Sequence, residues 1–92
     1  MSPLIGFAFT KAALDFLATT PLNIRRQIIK KARALHIVPH PPGSLCLKGI
    51  TTVNGDKIYR ERSGDYRILY VVRDNLSEVI IIDIDHRKDV YR

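Results

Sequence analysis

The stretch KIYRERSGDYRILYVVR, residues 57–73, decides the fold of this chain. Its first part, residues 57–62, can form a strand, and residues 66–73 are rich in the β-branched and aromatic side chains that favour strands. The intervening SGD, residues 63–65, is typical of a tight turn. We therefore predict a β-hairpin whose side chains alternate between the two faces of a sheet.

A third strand is predicted at residues 79–84, after a turn at residues 74–77, so that the three strands form an antiparallel meander. In the middle strand the even-numbered side chains from Tyr66 to Val72 share one face, and the odd-numbered ones from Arg67 share the other. Helices need one face of this sheet, which leaves the other face open for function.

The N-terminal half predicts a strand and a helical hairpin. Residues 4–9, LIGFAF, have the size of a short apolar strand, and Thr10 can cap a helix from Lys11 to about Ala18. Pro21 favours a second helix, in which it takes the first helical position.

This second helix has an apolar face formed by Ile24, Ile28, Ala32 and Leu35. Residues 39–44 hold three prolines and a glycine, so they end the helical region.

Length and composition narrow the class of protein. A chain of 92 residues with 46% hydrophobic content fits one folded domain, residues 1–92. Cys46 is the single cysteine, and no paired Cys or His spacing suits zinc. No signal-like or membrane-spanning apolar run is present. We expect a cytoplasmic protein without a metal, a cofactor or a membrane association.

The charge is strongly positive and unevenly distributed. The chain has 15 Lys and Arg against 9 Asp and Glu, a net charge of +6. Residues 1–47 contribute six basic side chains against Asp15 alone. This excess favours a polyanion or an acidic protein as partner, although a basic helix face is also commonly just a solvated surface.

The meander brings a set of basic side chains together. Arg60 and Arg62 share one face of their strand and lie beside Arg67 across the hairpin. The last strand returns next to the middle one and ends near His86 and Tyr91. The predicted result is a cluster of guanidinium groups with a His and a Tyr.

Such a cluster suits a phosphodiester, because arginine matches phosphate oxygens and can stabilise the charge that develops when a ribose 2′-hydroxyl attacks phosphorus. His86 and Tyr91 are candidates for proton transfer, and the sequence does not assign base and acid between them. The other interpretation is structural. The arginines can instead pair with Glu61, Asp65 or Asp83, and a single His near a strand end is commonly an ordinary polar residue.

Three segments resemble the RelE/ParE toxin superfamily. They are LKG at residues 47–49, IYRERSGDYRILY at residues 58–70 and HRKDVY at residues 86–91. The Gly-Asp-Tyr-Arg turn with its apolar strand and the terminal His-Arg-Lys-Asp-Val-Tyr are specific in combination. The resemblance implies an α+β fold, with an N-terminal strand and a helical hairpin packed on a twisted antiparallel sheet of about four strands.

The resemblance also implies an activity. Toxins of the RelE branch enter the ribosomal A site and cleave the message there without metal, and a cognate antitoxin binds and neutralises them in a heterodimer or larger complex. Carried over by position, the catalytic candidates are Arg60, Arg67, Arg87 and Tyr91, with His86 as a variant choice for proton transfer. The candidates for contact with RNA and the ribosome, including 16S rRNA, are Lys48, Lys57, Arg62, Lys88, Arg26, Lys30 and Arg33.

This chain departs from the family pattern at Ile58, where a basic residue is usual, so that one lysine is missing unless Lys57 replaces it. Two other functions therefore stay open. A ParE-like inhibitor of DNA gyrase shares the fold, and a degenerate toxin would act only in an antitoxin complex that represses transcription. The retained His86, Arg87 and Tyr91 favour the ribonuclease.

Overall fold

A computed structural model describes residues 6–73 and 78–86. Within these ranges the chain forms two helices and five strands, and both helices lie in the N-terminal half. In chain order the elements are β1 (Gly6–Phe9), α1 (Lys11–Ala18), α2 (Leu22–Ile37), β2 (Leu45–Thr51), β3 (Lys57–Ser63), β4 (Tyr66–Arg73) and β5 (Glu78–His86).

The strands form a single sheet in the order β1-β5-β4-β3-β2. The predicted meander is confirmed, because β3 pairs antiparallel with β4 and β4 pairs antiparallel with β5. The prediction of an antiparallel sheet of about four strands is corrected in two respects. The sheet has five strands, since β2 adds to the outside of β3. It is also mixed, since β1 runs parallel to β5, as a connection through helices permits.

The helix boundaries follow local capping signals. Thr10 caps α1 as predicted, with its hydroxyl accepting a hydrogen bond from the Ala13 amide, and α1 spans the predicted residues. α2 begins one residue later than predicted, because Pro21 takes the capping position before Leu22. Neither of these helices is long and apolar enough to cross a membrane.

The core lies between the helices and one side of the sheet, which we call the helix side. Ile28, Ala32 and Leu35 of α2 are buried as predicted, and they belong to the same apolar cluster as Ile68 and Tyr70 of β4. Burial of these even-numbered β4 side chains means that Arg67 and Leu69 point to the opposite side, which we call the open side.

A bulge in β5 changes which of its side chains reach the open side. Tyr70 pairs with Ile81, but Leu69 pairs with Asp83, so Ile82 is an extra residue in β5. The Thr10 hydroxyl donates a hydrogen bond of 2.6 Å to the Ile82 carbonyl oxygen at this point. Because of the extra residue, Ile84 returns to the core and Asp83 and Asp85 turn to the open side.

Tyr70→Phe is expected to lower stability and to reduce its dependence on alkaline pH. The Tyr70 hydroxyl donates to the Pro39 carbonyl oxygen at 2.7 Å, so its loss should lower the free energy of unfolding by ~1 kcal/mol at neutral pH. Burial, aided by the negative charge of Glu61, raises the pKa of Tyr70 above its usual 10.0.

The raised pKa sets the sign of the pH effect. Stabilisation by the neutral phenol is fully present below pH 10.0, the usual Tyr pKa, and is lost as the pH rises through the raised pKa of Tyr70. Urea unfolding of both proteins at neutral and alkaline pH measures the effect. The alkaline loss should be smaller in Tyr70→Phe, and an equal loss in both proteins would contradict the assignment.

Candidate functional site

The candidate site lies on the open side of the sheet and is built from three strands. The β3–β4 register puts Arg62 directly opposite Arg67, and Arg60 opposite Leu69. The hairpin turn between these strands consists of Gly64 and Asp65, with Gly64 at a φ of 61° that favours glycine. Three guanidinium groups are therefore gathered on one side of a two-stranded hairpin.

Arg60 carries an unsatisfied donor. Its Nε atom is buried and, among the residues that the structure describes, has no hydrogen-bond partner. A buried donor without a partner is costly. Because Nε is covered by protein atoms, an anion on the open side would reach it only if the Arg60 side chain moved.

Arg67 is held by a carboxylate. Its Nε atom lies 3.4 Å from Asp85 Oδ1, and the two side chains are 13% and 28% exposed. The two residues face each other in the β4–β5 register. The partner of Arg67 is therefore Asp85 and not one of the three carboxylates that the sequence suggested. The contact uses one of the five donors of the guanidinium group and fixes its orientation.

Glu61 takes no part in this cluster. It lies on the helix side of β3, where its Oε2 is 3.9 Å from the Lys31 ammonium group of α2.

Near the hairpin turn the three arginines outnumber the two carboxylates of β5 that lie beside them, Asp83 and Asp85. At the other end of the open side, Arg73 is paired with Asp56 and Glu78, at 3.0 Å and 3.8 Å. The excess of positive charge on the open side therefore lies at its hairpin end, where it suits a polyanion.

His86 lies on the other side of the sheet from the arginines. It is the register partner of Tyr66, and the two rings meet edge to face with centroids 4.8 Å apart. Tyr66 also contacts Phe16 of α1, which places both rings on the helix side. The prediction that His86 joins the arginine cluster is therefore wrong in its geometry, because neighbouring residues of β4 alternate between faces.

The predicted RNA contacts are distributed over several surfaces. Arg62 is exposed on the open side, and Lys48 is exposed on β2. Lys57 is exposed too, but by alternation along β3 it falls on the side of Tyr59 and not of Arg60, so it does not fill the position of the missing lysine. The exposed basic residues of α2 are Arg26, Lys30 and Arg33. Arg87, Lys88 and Tyr91 lie outside the described residues.

Within residues 6–73 and 78–86, no group of three or more His, Cys, Asp or Glu is arranged to hold a metal ion. The arginines of the open side, backed by two helices on a five-stranded sheet, define a small α+β domain with a surface whose chemistry suits an anionic partner. The charge on that side is supplied by arginine side chains.

Comparison with known proteins identifies the family to which the protein belongs. Residues 7–91 match the family described as "ParE toxin of type II toxin-antitoxin system, parDE". The chain belongs to this family and is a toxin of a type II toxin–antitoxin system. Toxin RelG of Mycobacterium tuberculosis is 44% identical over 34 residues, which cover 37% of this chain and 39% of that toxin.

Solved structures agree on a RelE-like fold. The RelE–RelB complex of the archaeon Pyrococcus horikoshii aligns with a TM-score of 0.76 and 25% identity, over 92% of this chain and 97% of that one. The toxin–antitoxin complex RelBE2 of Mycobacterium tuberculosis aligns with a TM-score of 0.70 and 26% identity, over 92% of this chain and 100% of that one. The isolated Escherichia coli RelE toxin aligns with a TM-score of 0.71 over 95% of this chain and 90% of that one. Its sequence identity is 24%, so this match supports the fold alone.

Proposed function

We propose that this toxin is a ribosome-dependent endoribonuclease that cleaves messenger RNA in the A site and so inhibits translation. The observation that carries the proposal is the open side of the sheet, where Arg60, Arg62 and Arg67 share one surface. Guanidinium groups bind phosphate oxygens, and they remain charged at all physiological pH values.

The proposed reaction is a transesterification within the RNA. The 2′-oxygen of one ribose attacks the adjacent phosphorus while its proton passes to a base. The bond to the 5′-oxygen of the next nucleotide breaks, and that oxygen receives a proton from an acid. The products are a 2′,3′-cyclic phosphate and a 5′-hydroxyl. Because arginines supply the positive charge that the transition state needs, the scheme uses no metal and no cofactor.

The positions of the candidate residues suggest a role for each in this reaction. Arg60 and Arg67, with Arg87 as a further candidate, would hold the scissile phosphate. Tyr91 is the proposed proton carrier, and His86 is the variant choice. The location of His86 on the helix side disfavours a role beside Arg67, so Tyr91 is the stronger candidate.

The proposal includes two kinds of partner in the cytoplasm. A cognate antitoxin would bind the toxin in a heterodimer or larger complex, as RelB does in the similar RelE–RelB structure. Ribosomal RNA, including 16S rRNA, would contact the basic residues that the sequence suggested. Those are Lys48, Lys57, Arg62, Lys88, Arg26, Lys30 and Arg33.

Primer extension on a defined message in a cell-free translation reaction tests the function. Cuts in register with codons, seen only when ribosomes are present, are the expected result. The matched family is named for ParE, so a gyrase inhibitor is the second candidate. An intact message together with inhibited gyrase supercoiling would establish that alternative. No effect in either assay would favour a toxin that acts only with its antitoxin as a repressor.

Replacing Arg26, Lys30 and Arg33 of α2 together by glutamate is expected to reduce toxicity without unfolding the protein. These exposed side chains would lose their attraction for ribosomal RNA, an interaction that also weakens steeply with salt. Toxicity is measured as growth after induction, and thermal unfolding checks the fold. The matching glutamine triple variant should be intermediate. Unchanged toxicity would remove α2 from the functional account.

A further inference from the structure

A cavity of about 350 Å³ lies on the helix side, away from the arginines of the open side. It is formed where the C-terminal end of α2, the proline-rich segment at residues 39–44 and β3 meet. Its apolar walls come from Ala34, Val38, Pro41 and Pro42, and its polar end is formed by Lys31 and Glu61. A cavity of this size accommodates a large apolar side chain.

The chemistry of the cavity favours a protein segment over RNA. Its polar end contains the Glu61 carboxylate, whose side chain is 10% exposed and whose ion pair with Lys31 spans 3.9 Å. A phosphate that entered would be desolvated against apolar walls and would meet this carboxylate. An apolar side chain would instead fill the space and exclude water from the ion pair.

The surroundings of the cavity favour an acidic partner. α2 carries five basic side chains and no acidic one. Since successive residues of a helix turn by about 100°, Lys31, Ala34 and Val38 form a stripe along the cavity. The adjacent stripe contains Arg26, Lys30 and Arg33, the basic residues named above. A segment in the cavity would therefore run beside a row of positive charge.

Exposed apolar area next to the cavity indicates a surface that a partner covers. Val38 lines the cavity and is 51% exposed, and its neighbour Ile37 is 80% exposed on the basic stripe. Large apolar side chains that are concentrated beside a concave site mark docking surfaces.

We propose that this cavity receives an apolar side chain from an acidic, amphipathic segment of the cognate antitoxin. The identity of the partner rests on the proposed function, whereas the binding surface does not depend on the ribonuclease activity. The apolar residue anchors the segment in the cavity, and acidic residues beside it pair with Lys31 and the basic stripe of α2.

Val38→Asp tests the proposal against Val53→Asp as a matched control. Both variants replace an exposed valine by aspartate, but only Val38 lines the cavity. The probe is the antitoxin encoded by the adjoining gene, titrated calorimetrically into the purified toxin. Val38→Asp should raise the Kd by about 30-fold or more, as for an interface anchor worth ~2 kcal/mol, and Val53→Asp by less than about 5-fold.

Ala34→Glu provides a second variant at an exposed helix position in case Val38→Asp fails to fold, and it should weaken binding similarly. Equal Kd values for wild type and folded cavity variants would overturn the proposal. Cavity variants that bind the antitoxin normally but no longer cleave on ribosomes would also overturn it and would assign the cavity to an RNA contact. A wild-type chain without ribonuclease activity would refute the proposed function while the Kd comparison still decides the docking site.

Discussion

Arg67→Ala is expected to lower the rate of ribosome-dependent cleavage by an order of magnitude or more, and by up to ~10³-fold, with little effect on folding. Loss of one preorganised donor to a developing negative charge has an effect of this size. In this protein the loss is compounded, because the Asp85 carboxylate, 3.4 Å from Arg67 Nε, keeps its negative charge on the surface that would bind RNA after the positive charge of Arg67 is removed.

Two control variants separate the roles of Arg67 and its partner. Asp85→Asn keeps the guanidinium group and removes a negative charge, so it should retain cleavage. In Arg67→Ala/Asp85→Asn, part of the lost activity should return, because the negative charge that repels RNA is removed as well. Cleavage is measured by single-turnover primer extension. Near-normal cleavage by Arg67→Ala would remove this residue from the site.

Ile68→Ala should have the opposite effect to Arg67→Ala. It should lower the stability of the fold strongly, while the molecules that remain folded still cleave the message. Ile68 follows Arg67 directly, yet its side chain is fully buried on the helix side in the same cluster as Ile28 and Leu35. Removing a fully buried isoleucine side chain to alanine lowers the free energy of unfolding by ~2–5 kcal/mol.

Urea unfolding measures this loss of stability. A cleavage assay at low temperature tests whether the molecules that remain folded are still active. Leu69→Ala on the open side is the matched control, because Leu69 is only partly buried and should lose less stability. Equal losses at positions 68 and 69 would contradict the assignment of a helix side and an open side.

Much of the fold could be predicted because its signals are local. Capping by Thr10, the prolines of residues 39–44 and the two-residue turn at Gly64 each depend on a few neighbouring residues. The alternation from Tyr66 to Tyr70 likewise separates the core side from the arginine side of β4 without any knowledge of distant contacts, whereas Val71 is buried although it follows Tyr70 directly.

The parts that were missed depend on pairing between distant segments. β2 was not predicted, since its pairing with β3 is interrupted between Cys46 and Thr51, and Gly49 has a φ of 76° there. The extra residue Ile82 in β5 also shifts the register. The interval between buried residues changes from two to three between Ile81 and Ile84, but residues 80–82 are all isoleucine, so the sequence does not mark the extra residue.

The register shift in β5 explains why only part of the candidate site was predicted. The grouping of Arg60, Arg62 and Arg67 follows from alternation and a short hairpin, so it was predictable. The choice of Asp85 as the partner of Arg67, and the location of His86 on the helix side, depend on the β4–β5 register after the bulge. Counting along the strand could not supply that register.

The most direct test of the central claim is cleavage of a message that carries a single 2′-deoxynucleotide at a mapped cut. We expect this cut to disappear on programmed ribosomes while cuts at other codons persist, since the attacking 2′-oxygen is missing. The persisting cuts should leave a 2′,3′-cyclic phosphate. Cleavage of the deoxy-substituted bond at the normal rate would contradict the account.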